Sequence, residues 1–341
     1  MSRATIKDIA KLADVSIATV SRVLNDNPFV TDSVRERVLA ATRELDYIPN
    51  TAAKILKTHR SHTIGFVISD ISSEALLEAA RAAETVVAGE DYNMILCSTE
   101  NDPQREYNYL KMLISKNVDG IVLNTTGQNI DYVAEMSHQV PFVLYNRKID
   151  SSNFIGDLVD TDNYAVSYQL TKQLLKLGHR RIMVVRGPMH LSNAADRFAG
   201  FVDAMRDEGI EITPDYPYVY TGNFCRQTGK DAVSYMMSLS NKPTALMSHN
   251  ITMSIGVLEE CSLRNIQIPE ELSFISYDGI PNAELMLIRP TAAVYDVAEM
   301  GRRIGRLILE RINNPKLENR SYIFAPHIVS GNSLSIPKGS L

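Results

Sequence analysis

Apolar residues recur at helical spacing up to about residue 46, and from Thr63 onward they gather into short runs separated by helical stretches. In the segment 5–13, Ile6, Ile9, Ala10 and Ala13 share one helical face, and Thr5 with Asp8 forms a capping-box pair at its start. Asp14-Val15 reads as a tight turn. Ser16 reads as the N-cap of a second helix, 16–24, that buries Val20, Val23 and Leu24 and leaves Ile17, Ala18, Ser21, Arg22 and Asn25 on another face. Thr31 opens a third helix running to about Asp46, with Val34, Val38, Ala41 and Leu45 inward. Two short helices joined by a tight turn and braced by a third make a helix-turn-helix, although spacing alone describes a generic three-helix bundle equally well.

Beyond Thr63 the apolar runs are Ile64–Ile68, Met94–Cys97, Gly120–Leu123, Phe142–Tyr145, Ile182–Val185, Ala245–Met247 and Ser273–Ile275. Helical patterns lie between them, among them Ala75–Ala88, Arg105–Lys116, Ala165–Leu177, Arg197–Glu208 and Ser254–Arg264. Strand-helix alternation of this kind predicts parallel sheets with helices on both faces, and ligands beyond the carboxyl ends of the strands.

Composition narrows the class. With 341 residues, 45% of them apolar and 22% charged, the chain reads as an ordinary globular protein of more than one domain. No window is apolar enough for a membrane span, and the opening Met1–Asp8 lacks the apolar core of a secretory signal. Three widely spaced cysteines, Cys97, Cys225 and Cys261, make neither a disulfide framework nor a zinc site, which suits a reducing cytoplasm. Net charge is −5, but it is uneven: residues 1–60 hold ten Lys/Arg and seven Asp/Glu, so a modestly basic head sits on an acidic remainder. No metalloprotease, phosphate-loop or nucleophile-elbow motif is present, so no catalytic residue, metal or cofactor is expected.

The segment Val15-Ser16-Ile17-Ala18-Thr19-Val20-Ser21-Arg22-Val23-Leu24-Asn25, followed by Tyr47-Ile48-Pro49-Asn50, closely resembles the head of the lactose/galactose-repressor family. The resemblance implies that the second helix enters the major groove of DNA. Arg22 is then able to fork onto a guanine, while Ile17 and Ala18 read apolar edges such as a thymine methyl. Thr5, Ser16, Thr19, Ser21 and Asn25 are candidates for phosphate contacts or caps. An ordinary surface arginine is the alternative for Arg22. Pro49–Lys57 resembles the family's hinge helix, in which Leu56, flanked by Ala53 and Lys54, is the candidate wedge in the minor groove. Packing on the core is the alternative for Leu56. A helix of two turns is marginal alone, and is expected to fold when paired on DNA.

The core carries the same resemblance through Val118-Asp119-Gly120-Ile121, Asn146-Arg147, Leu177–Ile182, Arg197-Phe198-Ala199-Gly200-Phe201 and Tyr277-Asp278. It implies a type I periplasmic-binding-protein-like fold of two doubly wound parallel-sheet lobes. The expected organisation is a helix-turn-helix head at 1–49, a hinge helix and linker at 50–60, a core at 61–335 and a tail at 336–341. Within the core, one lobe is placed at about 61–160 plus 292–322 and the other at about 161–291 plus 323–335. Candidate effector residues are Arg197, Asp278, Asn250 and Asn146, with Phe224 and Tyr295 as walls, and Ser73 and Glu74 after the first strand. A helix cap or a satisfied loop contact is the alternative reading for each polar one. The chain departs from the family where many members carry Asn-Asp for Asn250-Ile251, Asp-Arg for Asn146-Arg147 and Asn-Pro-Phe-Phe for Ser73–Leu76. These departures shift the expected ligand from a neutral hexose toward a molecule with a carboxylate or phosphate.

The resemblance therefore implies a dimeric transcription regulator, a repressor by default, that binds a pseudo-palindromic double-stranded operator and is switched by a small sugar-like effector in the cleft between its lobes. The alternatives are control by a partner protein or by a corepressor such as a nucleobase. Outside the regulator class, the alternatives are a soluble solute-binding protein with the same core and a sugar-processing enzyme. The last residues, Ile336–Leu341, hold no heptad repeat of the kind that builds tetramers, so a homodimer is expected.

Overall fold

The two periodicities become two structural units, Met1–Ser61 and His62–Leu341. The computed structural model describes residues 4–24, 27–47 and 60–338. Asn25 and the hinge residues Ala53, Lys54 and Leu56 lie outside the described residues.

The described part of the head is three helices: α1 (Ile6–Leu12), α2 (Ile17–Leu24) and α3 (Asp32–Glu44). The Asp8 carboxylate accepts from both the hydroxyl and the backbone N–H of Thr5, at 2.7 and 2.8 Å, and these bonds hold it below the usual carboxylate range. Asp14 takes a left-handed conformation, φ 52°, between α1 and α2, a backbone that Asp tolerates better than most residues. Ile9, Val20, Val23, Val38 and Ala41 close the small core between the helices.

The larger unit contains two six-stranded sheets. The first is built from β1 (Thr63–Ile68), β2 (Asn93–Ser98), β3 (Gly120–Leu123), β4 (Phe142–Tyr145), β5 (Asp157–Thr161) and, far along the chain, β11 (Ser321–Phe324), in the order β11-β5-β4-β3-β1-β2. Every pairing in it is parallel. Its helices are α4 (Glu74–Ala88), α5 (Pro103–Ser115), α6 (Ile130–Met136) and α11 (Val297–Asn313). The second sheet contains β6 (Ile182–Arg186), β7 (Val219–Thr221), β8 (Ala245–Ser248), β9 (Ser273–Asp278), β10 (Thr291–Val294) and β12 (His327–Val329), in the order β12-β10-β9-β8-β6-β7. Among the described residues only β12 runs antiparallel in it, against β10. Its helices are α7 (Asn163–Lys176), α8 (Ser192–Arg206), α9 (Arg226–Ser238) and α10 (Ile251–Leu263).

Both faces of each sheet are covered, which is why the strands read as nearly continuous apolar runs. In β1, Ile64, Phe66 and Ile68 meet Ile304 and Ile308 of α11, while Val67 faces the other way toward Leu113 and Leu123. Glycine lets helices approach closely: a Cβ on Gly301 of α11 would stand 2.3 Å from the Ala79 carbonyl oxygen of α4.

Three crossings join the lobes, between β5 and α7, between β10 and α11, and between β11 and β12. Two boundaries read from the sequence move. Residue 292 falls inside β10, which hydrogen-bonds into the second sheet beside β9, so the return to the first lobe comes after Val294. Residue 322 falls inside β11, which pairs with β5, so the last crossing comes after Phe324.

Candidate functional site

On α2 of the head, Ile17, Ala18 and Arg22 are exposed together while Val20 and Val23 are buried behind them. An isoleucine 45% exposed on a short helix is an apolar contact surface rather than core. Ser16 caps the helix by accepting from the Thr19 N–H at 3.1 Å, and the two hydroxyls lie 2.9 Å apart. Ser16 and Thr19 thus spend part of their hydrogen-bonding capacity on the helix start. Thr5 is spent on Asp8. Ser21 is half-buried on the same helix.

In the core, a cavity of about 320 Å³ opens between the lobes, and all eight residues singled out from the sequence line it. Each is at, or just beyond, the carboxyl end of a strand: Ser73 and Glu74 after β1, Asn146 after β4, Phe224 after β7, Asn250 after β8, Asp278 at the end of β9 and Tyr295 after β10. Arg197 lies on α8, which follows β6. Parallel sheets aim these loops at one another, and two sheets facing across a gap double the effect.

Arg197 is the most elaborately held. It is 2% exposed, its Nε donates to Asn163 Oδ1 at 2.8 Å, and its Nη1 donates to the His249 carbonyl. The guanidinium carbon stands 3.7 Å from the centroid of the Tyr277 ring, and Nη1 lies 3.6 Å from Asp278 Oδ2. Burial works against the charge, but Asp278 and the Tyr277 and Tyr295 rings outweigh it and raise the pKa. The other Asp278 oxygen accepts from the Tyr295 hydroxyl at 2.5 Å, and burial together with that carboxylate pushes the phenol well above its ordinary range. The result is a fixed chain, Asn163–Arg197–Asp278–Tyr295, along one wall of the cavity.

The remaining polar residues divide by what they have left to offer. Asn250 caps α10, its oxygen accepting from the Thr252 and Met253 N–H groups at 2.8 and 3.2 Å. Ser73 caps α4. For these two the cap reading holds, and for Asn250 the amide nitrogen remains available as a donor. Asn146 adopts a left-handed backbone, φ 59°, which turns the chain into the cavity directly after β4. Glu74 is exposed in the first turn of α4. Phe224 packs against Gly187, where a Cβ would stand 2.3 Å from its ring.

Sequence reasoning named Asn146 but passed over the next residue. Arg147 is 4% exposed and lines the cavity, donating from Nη1 to the Thr125 carbonyl at 2.7 Å and from Nη2 to Asn101 Oδ1 at 3.0 Å. Asn101 and Asn193 were also missed. An asparagine carries no hydropathy signal, and only the place of Asn101 in the turn after β2 or of Asn193 in the first turn of α8 could have marked them. His179, by contrast, is occupied by Thr244 and Ser335 away from the cavity, as a structural residue. Among the described residues no cluster of three His, Cys, Asp or Glu could hold a metal ion, and the three cysteines are free.

The model for periplasmic binding proteins and the sugar binding domain of the LacI family matches residues 61–328, and the model for bacterial regulatory proteins of the lacI family matches residues 5–50. The chain belongs to the LacI family. This LacI-family regulator is 30% identical over 334 residues to the HTH-type transcriptional repressor PurR of Pasteurella multocida (strain Pm70), covering 97% of this chain and 98% of the relative. It is 32% identical over 334 residues to the ribose operon repressor of Escherichia coli (strain K12), covering 97% and 99%. Its fold matches that of the Lac repressor dimer bound to operator and the anti-inducer ONPF, with a TM-score of 0.84 at 21% identity over 98% of this chain and 100% of that one. A LacI-family regulator from Enterococcus faecium with bound ribose matches at a TM-score of 0.72 and 25% identity, covering 81% and 100%. No helix among the described residues is long and apolar enough to cross a membrane.

Proposed function

We propose that this LacI-family regulator is a dimeric repressor of the cytoplasm that holds a pseudo-palindromic operator with one α2 per half-site. Ile17, Ala18 and Arg22 read base edges. Thr5, Ser16, Thr19, Ser21 and Asn25 cap the helices or contact the backbone. Residues 50–60 act as the hinge, with Leu56 as wedge between Ala53 and Lys54, and the core 61–335 carries the effector. The observation that supports the control mechanism is the convergence of Arg197, Asp278, Asn250, Asn146, Phe224, Tyr295, Ser73 and Glu74 on one cavity between two lobes. A small polar ligand there touches both lobes at once. It therefore favours one lobe arrangement by its difference in affinity for the two, and so sets the affinity for DNA. The donors and acceptors on the walls and the aromatic Phe224 and Tyr295 suit a sugar or sugar derivative. A solute-binding protein would have no use for the exposed α2 face.

The test is selection of genomic DNA fragments by the full chain, followed by effector titration against the recovered site. A two-fold pseudo-palindrome whose binding responds to a small molecule, with the response lost in Arg197→Ala, supports the reading. An asymmetric site, or a response that survives Arg197→Ala, overturns the dimer or the cleft assignment respectively.

A further inference from the structure

Two guanidinium groups line the cavity, and among the described residues only that of Arg197 has a carboxylate within ion-pair distance. Arg197 faces Asp278 at 3.6 Å. Arg147 is just as buried, yet among the described residues its hydrogen bonds go to two neutral acceptors, the Thr125 carbonyl and Asn101 Oδ1, its guanidinium carbon stands 5.9 Å from the Phe224 ring centroid, and its Nε is buried with no hydrogen-bond partner. Burial pushes its pKa down to about 10, and the charge of Glu106 offsets this only in part. Glu106 is itself committed to the Thr126 N–H, to both threonine hydroxyls and to Asn129. A buried cation with no carboxylate in direct contact is costly to desolvate, and here it lies on the wall of a ligand cavity.

The amides of the cavity lean the same way. The Asn193 oxygen accepts from the Ala194 N–H at 2.9 Å, and the Asn250 oxygen accepts from Thr252 and Met253. A backbone N–H can only donate, so these amides are oriented with their NH₂ groups left for a ligand. Asn146 is neutral where it stands beside Arg147. None of the carboxylates that line the cavity pairs with Arg147: Glu74 and Glu78 are exposed on α4, Asp70 is bonded to Ser72, and Asp278 faces Arg197 and Tyr295.

We infer that the effector is a small polyol carrying one anionic oxygen group, a carboxylate or a phosphate monoester, seated against Arg147 with its hydroxyls toward Glu74 and Asp278. The inference rests on the reading of the cavity as the effector site and names the class of molecule it takes. Carboxylate and phosphate oxygens share the chemistry that Arg147 and the amide donors recognise, acceptors that carry negative charge. A neutral sugar offers hydroxyl oxygens to the same donors but leaves the guanidinium uncompensated.

The test compares matched probes on the full-length protein by calorimetry at constant ionic strength: ribose, ribonate and ribose 5-phosphate, and glucose, gluconate and glucose 6-phosphate. The expected result is that in at least one trio an anionic member binds ten-fold or more tightly than its neutral parent. Whether the carboxylate or the phosphate member wins identifies the anionic group. Arg147→Met removes the preference. Asn146→Asp, which keeps the arginine and sets a carboxylate beside it, weakens the anionic member at least ten-fold more than its neutral parent. Neutral sugars binding as tightly as their anionic partners in both trios, or no anionic member binding, overturns the inference. If neutral sugars bind as tightly as their anionic partners in both trios and Arg197→Ala abolishes that binding, the cleft reading stands while the anion assignment falls. Binding that is indifferent to Arg197→Ala overturns both.

Discussion

Lys148 of the first lobe and Asp196 of the second form an ion pair 2.8 Å long across the cleft, and the Lys148 N–H also donates to Ser192 Oγ at 2.9 Å. Each partner is next in sequence to a cavity arginine, Lys148 after Arg147 and Asp196 before Arg197. The contact that ties the lobes is therefore built into the same two segments that line the ligand site.

That pair is half-exposed, and exposed pairs contribute only ~0.2–1 kcal/mol. Lys148→Ala is expected to loosen the approach of the lobes and lower effector affinity by up to about five-fold. Titration of the effector into both proteins reads this directly. Unchanged affinity would show that the lobes come together without the latch.

Arg22 is exposed at the surface of α2 beside Ile17 and Ala18. Arg22→Ala is expected to cost about 1–3 kcal/mol at one base pair per half-site and to relax specificity there. Binding to operators mutated position by position checks it. An equal loss on every sequence would make Arg22 a phosphate contact.

Burial pushes the Asp160 carboxyl up to about 6, against the opposing pull of the Thr161 N–H, of Arg197 and of Asn163. Because the folded value lies above the unfolded one, its contribution to stability is whole below about pH 4 and is lost as pH rises through 6. Asp160→Asn keeps an oxygen to accept from Thr161 and Asn163 and carries no charge. It should stabilise the core by up to about 3 kcal/mol at pH 8 and by little at pH 4. Urea unfolding at the two pH values measures the difference. An equal gain at both would assign the effect to something other than ionisation.

Asp157 is fully buried between Arg311, at 2.6 Å, and Arg320, at 2.8 Å. Burial opposes its charge, but the bonds from Arg320 and Arg311 win and hold the carboxyl below its ordinary range. Asp157→Ala leaves a buried guanidinium without its partner, at a cost of about 3–5 kcal/mol. Chemical denaturation checks the loss. In the parent protein the contribution is present above the unfolded pKa and disappears as pH falls through the depressed one.

The same residue shows where sequence reading stops. The strand Asp157–Thr161 was not read from the sequence because two of its five positions are aspartates, and a periodicity argument scores them as exposed. Asp157 is inside because Arg311 and Arg320, far along the chain, come to meet it, which no local window contains, and Asp160 is inside with bonds from the Thr161 N–H and the Asn163 amide. Strands such as Phe142–Tyr145, apolar throughout, were legible to the residue. The face of α2 was legible for the opposite reason: a short helix in a small unit has one buried side, so Ile17 and Arg22 could only be outside. In the cavity, residues that follow apolar strands could be located by counting from strand ends. Arg147 escaped because an arginine after a strand end reads as a surface residue, and its burial depends on Thr125 and Asn101 from two other loops.

The three crossings between the lobes also bear on how the protein could be taken apart. The first sheet takes its edge strand from Ser321–Phe324, and α4 packs against α11, which begins only at Val297. The second sheet in turn needs His327–Val329, beyond that return. A nonsense codon anywhere between Asp162 and Ser321 therefore strips the upstream lobe of its edge strand, as well as truncating the downstream one. Neither lobe is an inheritable module of contiguous sequence. The pair can be duplicated, fused or exchanged between regulators only together, whereas the segment before His62 can be exchanged by a single recombination event.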